Sequence, residues 1–374
     1  MKKLLFVLGA TLFAASSFAQ EFSFSNEVST DVFHMTHIDD LQKPMEEDDT
    51  DFAGIYDEVT VDFSSEKLDF GFNSKFGIDD FDDDANFDEK RIHEDPSDGV
   101  YAIAMDDFDY YVEFRPIDVL ALGLSMDYET AGAYLPVWDD TIEAGKLGSD
   151  GLSLVVKPVQ GLRIVGTIPF NFDFVNTLNG SKDDGYNKFY FGAGVDYTME
   201  NVFTAGINID DVADSDFCQI GLYASLTAVE NLVLNAGLTI ATEDNPASID
   251  FDFWGFELLG ETLITAGASY ELEALSLAAD FAVNTDSEKS DYDLYTGVNV
   301  GYQINEQLGL AVKGVLGLDL GAPEGQDEAD TLFGVEPSVS FALNENNEFS
   351  AGVDVEIVGS NRYIAIPLSW VYKF

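Results

Sequence analysis

An all-β fold, a transmembrane antiparallel up-and-down β-barrel, is predicted by three features of this 374-residue sequence. Large apolar residues recur at every second position in many segments, as they do in strands with one apolar face. The segments are joined by alternately short and long connections, which is typical of membrane barrels. No stretch after the first 20 residues reaches the roughly 18 consecutive apolar residues of a membrane-spanning helix.

The N-terminus has the features of a secretory signal peptide. Lys2 and Lys3 precede an apolar run over residues 4–15, and small residues follow just before Gln20. Such a segment is removed on export and does not belong to the fold. We therefore predict a signal peptide at residues 1–19 and a single barrel domain at residues 20–374. No cysteine follows the cleavage site, so lipid attachment is not expected.

The composition is strongly acidic. The chain has 70 Asp and Glu residues against 17 Lys and Arg residues, and its formal net charge is −53. This charge opposes binding to nucleic acid. The single cysteine, Cys218, excludes an intramolecular disulfide. A general adaptation of the proteome to salt or solubility is an alternative source of the acidic residues.

The strands follow one another along the whole chain after the signal peptide. We predict about eighteen, with a range of roughly 14 to 20, because one mistaken merger or split changes the count by two. The predicted segments are 22–33, 55–64, 68–78, 100–115, 119–129, 151–157, 161–170, 188–198, 202–210, 217–227, 231–241, 261–271, 274–284, 291–303, 307–318, 331–343, 348–358 and 362–374.

The alternation within these segments is regular. In 231–241, for example, Leu232, Leu234 and Leu238 share one face, whereas Asn235 and Gly237 lie on the other. A β-sandwich core would give the same pattern, so alternation alone does not show which face contacts lipid.

The lengths of the connections separate the two folds. Tight connections are predicted at 65–67, 116–117, 158–160, 199–201, 229–230, 272–273, 305–306 and 344–347. Most of the intervening connections are long: 34–54, 79–99, 130–150, 171–187, 242–260 and 319–330. Short turns at one rim and long loops at the other favour the membrane barrel.

The last strand, 362–374, is the most informative segment. Leu368, Trp370, Tyr372 and the terminal Phe374 share one face, and Lys373 lies on the other. This segment resembles the C-terminal assembly signal of bacterial outer-membrane β-barrel proteins, which closes the barrel and is read by the barrel assembly machinery. The resemblance extends, at the level of architecture, to porin-like proteins over the mature chain.

The resemblance implies an integral protein of the bacterial outer membrane that contacts its lipid. The short turns would then be periplasmic and the long loops extracellular. Porins of this kind often form trimers, so a homotrimer is implied as well.

The polar strand faces would line the barrel interior. The predicted pore-lining residues are Glu58, Asp62, Asp69, Glu113, Arg115, Asp127, Arg163, Asp196, Asp280, Asp293, Lys313, Asp354 and Glu356. Acidic residues predominate, so we expect the lumen to concentrate cations. Because Arg115 and Arg163 lie next to tight turns, salt bridges near the rim are favoured for them over a constriction.

Two long loops are candidates for closing part of the lumen. Loop 130–150 is the third long loop, the one that enters the barrel in general porins, but it lacks their Pro-Glu-Phe-Gly-Gly run. An ordinary surface loop is therefore favoured. Loop 242–260 is too apolar for a freely solvated loop, and entry into the lumen, contact with another subunit and strand extension are all open.

Aromatic side chains on the predicted lumen face raise a further possibility. Tyr111, Tyr190, Tyr223 and Tyr295 are candidates for a track on which sugars stack. Packing within the barrel wall is the favoured interpretation.

Metal sites receive limited support from the sequence. Asp80, Asp82, Asp84 and Asp88 lie in an acidic loop that begins like a calcium loop, but Ala85 stands where the glycine of that motif belongs. A solvated acidic loop is favoured, with weak calcium binding as the alternative. His34 and His37 could share a metal, although simple exposure is favoured.

The sequence contains no recognisable catalytic motif, so we expect neither an enzyme nor a cofactor. The predicted function is a porin-like outer-membrane channel for passive diffusion of small hydrophilic solutes, with a preference for cations. One alternative is a plugged barrel whose acidic loops act in adhesion or surface structure. The other is a secreted, soluble all-β protein that binds calcium or carbohydrate.

Overall fold

The protein forms a closed antiparallel barrel of 18 strands in a computed structural model. The structure describes residues 21–36, 55–79, 102–130, 132–147, 151–169, 191–210, 218–242, 245–251, 257–285, 292–319, 331–358 and 361–373. No helix in these residues is long and apolar enough to cross a membrane.

Each strand pairs with its neighbours along the chain. The strands are β1 Glu21–Thr36, β2 Ile55–Ser64, β3 Leu68–Asp79, β4 Ala102–Ile117, β5 Leu120–Leu124, β6 Gly151–Val159, β7 Leu162–Pro169, β8 Gly192–Met199, β9 Phe203–Asp210, β10 Gln219–Val229, β11 Leu232–Ile240, β12 Thr262–Leu272, β13 Leu275–Thr285, β14 Asp293–Asn305, β15 Leu308–Asp319, β16 Thr331–Asn344, β17 Asn347–Gly352 with Asp354–Val358, and β18 Asn361–Lys373.

The first and last strands close the barrel. Ser25 of β1 lies opposite Lys373 of β18, and the pairing runs to Thr36 opposite Tyr363. Every barrel strand that the structure describes therefore has two neighbours, so the barrel wall has no free edge among these residues. The predicted up-and-down barrel and its strand number are confirmed.

Strand β17 has a short interruption at Val353. Its neighbour in β16 is Pro337, which accepts a hydrogen bond from the Val353 amide at 3.0 Å but has no amide of its own to donate. The register continues unchanged on both sides, with Val339 opposite Ala351 and Val335 opposite Val355.

The fifth predicted strand, 119–129, is too long. In the structure β5 ends at Leu124, and Ser125 adopts a positive φ of 49° that turns the chain away from the wall. The Ser125 amide then donates to the Gly151 carbonyl at 2.9 Å. Asp127 consequently lies in the following loop and is not on the barrel wall as predicted.

The apolar strand faces point outward. Ile164 of β7 and Val195 of β8 are 43% and 38% exposed, whereas Val165 and Thr167 on the opposite face of β7 are only 3% and 4% exposed. The inner face is covered because two loops enter the barrel. We call the described residues between 125 and 150 loop 3, and those between 241 and 261 loop 6.

Loop 3 and loop 6 each have secondary structure. In loop 3, Tyr128–Glu129 pairs with Lys146–Leu147 and Tyr134–Leu135 pairs with Asp140–Thr141, followed by a 3₁₀ helix at Glu143–Gly145. Loop 6 contains a hairpin of Ala247–Asp250 with Glu257–Gly260.

The apolar core lies inside the barrel, where these loops meet the wall. Its main cluster joins Ala133, Leu135 and Ile142 of loop 3, Ala247, Ile249, Phe251 and Leu258 of loop 6, and Tyr223, Leu263, Ala282, Tyr295, Val315 and Leu332 of the wall. The prediction of an ordinary surface loop at 130–150 is therefore wrong. For loop 242–260, the structure selects entry into the lumen among the three alternatives.

Candidate pore and its constriction

The tip of loop 3 is held by a carboxylate of the barrel wall. The Oδ2 atom of Asp280 in β13 accepts hydrogen bonds from the backbone amides of Val137 and Trp138, at 2.7 and 2.9 Å. The Asp280 side chain is only 2% exposed. Hydrogen bonds to an ionised group are about twice as strong as those between neutral groups, so this contact is a strong anchor for the tip.

Three further wall side chains hold the loop by its backbone carbonyls, each from a different strand. Asn235 of β11 donates to the Tyr134 carbonyl at 2.8 Å, Asn208 of β9 donates to the Gly145 carbonyl at 3.1 Å, and Arg163 of β7 donates to the Glu129 carbonyl at 2.7 Å. Because these three side chains bind main-chain atoms at separate points, loop 3 is fastened along its length. The sequence pattern did not identify Asn208 or Asn235 as functional residues.

Glycines in the wall let the loop lie directly on it. A Cβ atom on Gly267 would come within 2.7 Å of the Pro136 ring, and one on Gly297 within 2.8 Å of the Val137 side chain. Contacts this short would displace the loop tip. The wall beneath the tip is thus shaped for this one position of loop 3.

The base of loop 3 is fixed through a buried tyrosine. The Tyr128 hydroxyl donates a hydrogen bond to Glu113 of β4 at 2.9 Å. It accepts a hydrogen bond from the Ser153 hydroxyl of β6 at 3.2 Å. Burial raises the pKa of Tyr128, so the hydroxyl stays protonated and remains a donor. Glu113 is only 7% exposed, so its carboxylate serves this contact more than the pore.

Loop 6 is fastened to loop 3 and to the wall by an aromatic stack. The Phe251 ring lies 3.9 Å from that of Tyr295 in β14, and its edge contacts Trp138 of loop 3 with ring centroids 5.7 Å apart. Gln219 of β10 also donates to the carbonyls of Asn245 and Pro246, at 3.1 and 3.0 Å. The two loops therefore form one constriction, and both are attached to the barrel.

The candidate tyrosine track is largely occupied by packing. Tyr223 and Tyr295 are 3% and 0% exposed beneath the loops. Tyr111 donates to Asp62 at 2.8 Å, and Tyr190 lies outside the described residues. These contacts favour the packing interpretation over sugar stacking.

The wall formed by β1 to β3 and β16 to β18 is less covered. Glu27, Glu58, Asp62, Glu336 and Asp354 all face inward there by register and remain partly exposed. A cavity of about 410 Å³ lies against this wall and is lined by Glu27, Glu336, Tyr56 and several serines. The open part of the lumen is thus bounded by carboxylates and hydroxyls.

The register gives the position of every predicted pore-lining residue. Twelve of them lie on strand faces that point inward: Glu58, Asp62, Asp69, Glu113, Arg115, Arg163, Asp196, Asp280, Asp293, Lys313, Asp354 and Glu356. The remaining one, Asp127, lies in loop 3. Asp196, Asp280 and Glu356 are at most 8% exposed, so they are covered parts of the wall.

The two arginines form the predicted salt bridges. Arg115 contacts Asp69 at 2.6 Å and Glu113 at 3.3 Å, and Arg163 contacts Asp196 at 2.6 Å. Lys313 lies opposite Glu336 in the sheet. Each of these cations therefore lies beside a carboxylate.

Other predicted sites fall partly outside the described residues. This applies to the signal peptide, to His37, to the terminal Phe374 and to the calcium candidates Asp80, Asp82, Asp84 and Asp88. In the assembly signal, Leu368, Trp370 and Tyr372 lie on the outer face and are 36% to 40% exposed. Among the residues that the structure describes, no group of three His, Cys, Asp or Glu side chains is placed to hold a metal.

The sequence matches no protein-family model and no curated protein. Solved structures match the fold over nearly the whole chain. OccAB4 of Acinetobacter baumannii is 9% identical with a TM-score of 0.57, and the match covers 95% of this chain and 98% of that one. OpdK of Pseudomonas aeruginosa is 9% identical with a TM-score of 0.57, covering 96% and 99%. OccK3 (OpdO) of the same organism is 12% identical with a TM-score of 0.55, covering 96% and 97%.

At these identities the likeness shows the fold, and the observed surface agrees with it. The apolar outer face excludes the soluble-protein alternative, because large aliphatic and aromatic side chains would be exposed to water around the barrel. The chain is an integral bacterial outer-membrane protein with the 18-stranded barrel fold of the Occ and Opd porins.

Proposed function

We propose that this protein is a porin-like channel for passive diffusion of small hydrophilic solutes, with a preference for cations or neutral solutes over anions. The observation that carries the proposal is the division of the lumen into two parts. Loops 3 and 6 cover the wall around β6 to β14, whereas the wall of β1 to β3 and β16 to β18 keeps partly exposed carboxylates. No bond is made or broken in this function, so it requires neither a catalytic residue nor a cofactor.

The cation preference follows from the charges that bound this open part. Charges along a low-dielectric wall focus their field into the lumen and raise the local concentration of ions of opposite sign. Glu27, Glu58 and Glu336 contribute negative charge there. Two lysines face the same part of the lumen, and each lies opposite a carboxylate in the sheet: Lys313 opposite Glu336 and Lys75 opposite Glu58.

A related barrel provides a useful contrast. OpdK was solved with vanillate, an aromatic carboxylate. An anion of that kind would meet the carboxylates of the open wall in this chain, whereas Arg115 and Arg163 are already in contact with Asp69 and Asp196. This arrangement favours the passage of cationic or neutral solutes over that of anions.

A plugged barrel is the second candidate, because the loops carry an apolar core into the lumen. In that case the acidic loops would act in adhesion or surface structure. The cavity at the β1, β16 and β18 wall favours the channel over the plug. Recognition by the barrel assembly machinery through the last strand and assembly into a homotrimer remain predictions.

The test is single-channel recording of detergent-purified protein in a planar bilayer under a KCl gradient. Two adjacent residues of β2 provide a matched pair of variants. Glu58 faces the lumen, whereas Asp57 lies on the outer face and accepts a hydrogen bond from Asn26. Glu58→Gln and Asp57→Asn each remove one negative charge from the same strand.

We expect stepwise insertion with a cation-selective reversal potential in the wild type. Glu58→Gln should move the reversal potential towards zero, and Asp57→Asn should leave it unchanged. If the protein shows the heat-modifiable gel migration of a folded barrel but does not conduct, the channel is refuted and the plugged barrel is favoured. Equal effects of the two variants would refute the role of the lumen carboxylates.

A further inference from the structure

We infer that Asp280 is a positioning residue that sets the width of the constriction from behind loop 3. The inference deepens the proposed function and rests on it for its effect on conduction. Asp280 is covered by the loop, so a passing solute does not reach it. Asp280 would act on the width of the pore through the hydrogen bonds that it accepts from two backbone amides of the loop.

The contact joins a buried charge to a loop tip. The Asp280 carboxylate is 2% exposed, and only its Oδ2 atom has hydrogen-bond partners among the described residues, namely the amides of Val137 and Trp138. A buried carboxylate with few partners is costly, so losing these amides would leave the charge uncompensated. The tip and the carboxylate therefore stabilise each other in this position.

The surroundings of Asp280 reinforce this dependence. The hydroxyls of Thr265 and Tyr295, on the neighbouring strands, also have no hydrogen-bond partner among the described residues. Thr265 and Tyr295 face the same side of the sheet as Asp280. Each lies two residues from the glycine that pairs with Asp280 on its strand, Gly267 in β12 and Gly297 in β14. These two hydroxyls thus do not replace the loop amides as hydrogen-bond donors to Asp280 in the observed arrangement.

Within loop 3, the effect should be confined to the tip. Asn235 holds Tyr134 on one side of the tip, and Asn208 and Arg163 hold the ends of the loop. These contacts do not involve Asp280 and would persist without it. Trp138 touches Phe251, so movement of the tip would also reach loop 6.

The experiment compares Asp280→Asn with Asp62→Asn. Both variants replace an inward-facing aspartate by its amide isostere and remove one negative charge from the lumen wall. Asp62 accepts from Tyr111 and does not contact loop 3 among the described residues. The first measurement is hydrogen exchange of the peptide that covers residues 132–142, in detergent, which does not depend on conduction.

We expect exchange at Val137 and Trp138 to become about tenfold faster in Asp280→Asn, because the amide oxygen that replaces the carboxylate accepts weaker, neutral hydrogen bonds. Asp62→Asn should match the wild type. The second measurement is unitary conductance, which should become larger and noisier in Asp280→Asn. Asp62→Asn removes a charge from the open wall, so it should lower the cation conductance without added noise.

The outcomes separate the inference from the proposed function. Unchanged exchange at the loop tip in Asp280→Asn would overturn the positioning role, whether or not the wild type conducts. Faster exchange with unchanged conductance would overturn the claim that Asp280 sets the width of the pore. A silent wild type would refute the channel, and the exchange experiment would still decide whether Asp280 holds the tip.

Discussion

Replacing Phe251 by alanine should loosen the attachment of loop 6 to the barrel wall. The Phe251 side chain is 2% exposed and stacks on Tyr295 at 3.9 Å, with Trp138 against its edge at 5.7 Å. Removal of a fully buried phenylalanine from a core typically costs about 3 to 5 kcal/mol. The same range applies to the packing that Phe251 provides between loop 6, loop 3 and the wall.

The hydrogen bonds that remain to loop 6 are weaker than this loss, and the other buried side chains of its hairpin, Ala247, Ile249 and Leu258, belong to the same cluster as Phe251. Its hairpin has two strands of four residues each, and an isolated two-stranded hairpin is marginally stable at best. The two hydrogen bonds from Gln219 to Asn245 and Pro246 contribute about 1 kcal/mol each. The substitution therefore loosens the hairpin while the barrel strands stay paired.

The assay combines single-channel conductance with limited proteolysis of folded protein. Phe251→Ala should conduct more than the wild type and should be cleaved faster within loop 6. Its heat-modifiable migration should not change, because the barrel itself is intact. Leu259→Ala is the matched control, since Leu259 lies in the same hairpin but is 44% exposed. Wild-type conductance and protease resistance in Phe251→Ala would refute the role of the stack.

Three further predictions test other parts of the molecule. Arg163→Ala should lower the free energy of unfolding in urea by up to about 3 kcal/mol, because it leaves Asp196, 8% exposed, without its partner at 2.6 Å; stability equal to the wild type would contradict this. Asn235→Ala should remove about 1 kcal/mol of loop attachment and speed proteolysis near Tyr134, with no change in barrel unfolding. Deletion of Phe374 should reduce the fraction of heat-modifiable barrel in the outer membrane, and full assembly would argue against the C-terminal signal.

The strands could be predicted from the sequence because their signal is local. A strand shows its two faces in the order of its own residues, as in 231–241, where Asn235 and Gly237 are indeed on the covered face. Tight turns were visible for the same reason. Alternation alone did not show that the apolar face points outward. That conclusion also needed the lengths of the connections and the pattern of the last strand.

The position of loop 3 could not be predicted in this way, because it depends on contacts between residues far apart in the chain. Val137 meets Asp280, and Tyr134 meets Asn235, only after the barrel has closed. One local signal was present. Glycines recur on the inner face under the loop, as at Gly267, and an apolar loop opposite such a wall indicates close contact.

The aspartate at 127 shows the limit of periodicity at a strand end. Alternation continued through this residue in the sequence, but the positive φ of Ser125 ends β5 before it. Backbone geometry of this kind leaves little trace in a single sequence. The boundary therefore had to come from the structure.

The selectivity of the proposed channel depends on where its carboxylates lie more than on how many there are. A chain with a formal charge of −53 would carry acidic residues everywhere if general salt adaptation were the only cause. Under the loops, however, Asp280 accepts two amides and Asp196 contacts Arg163, so these charges act in structure. On the open wall, Glu27 and Glu336 border a cavity instead. The field that a solute meets is therefore set by the part of the wall that loops 3 and 6 leave uncovered, which is why their anchors and the exposed carboxylates should control conduction separately.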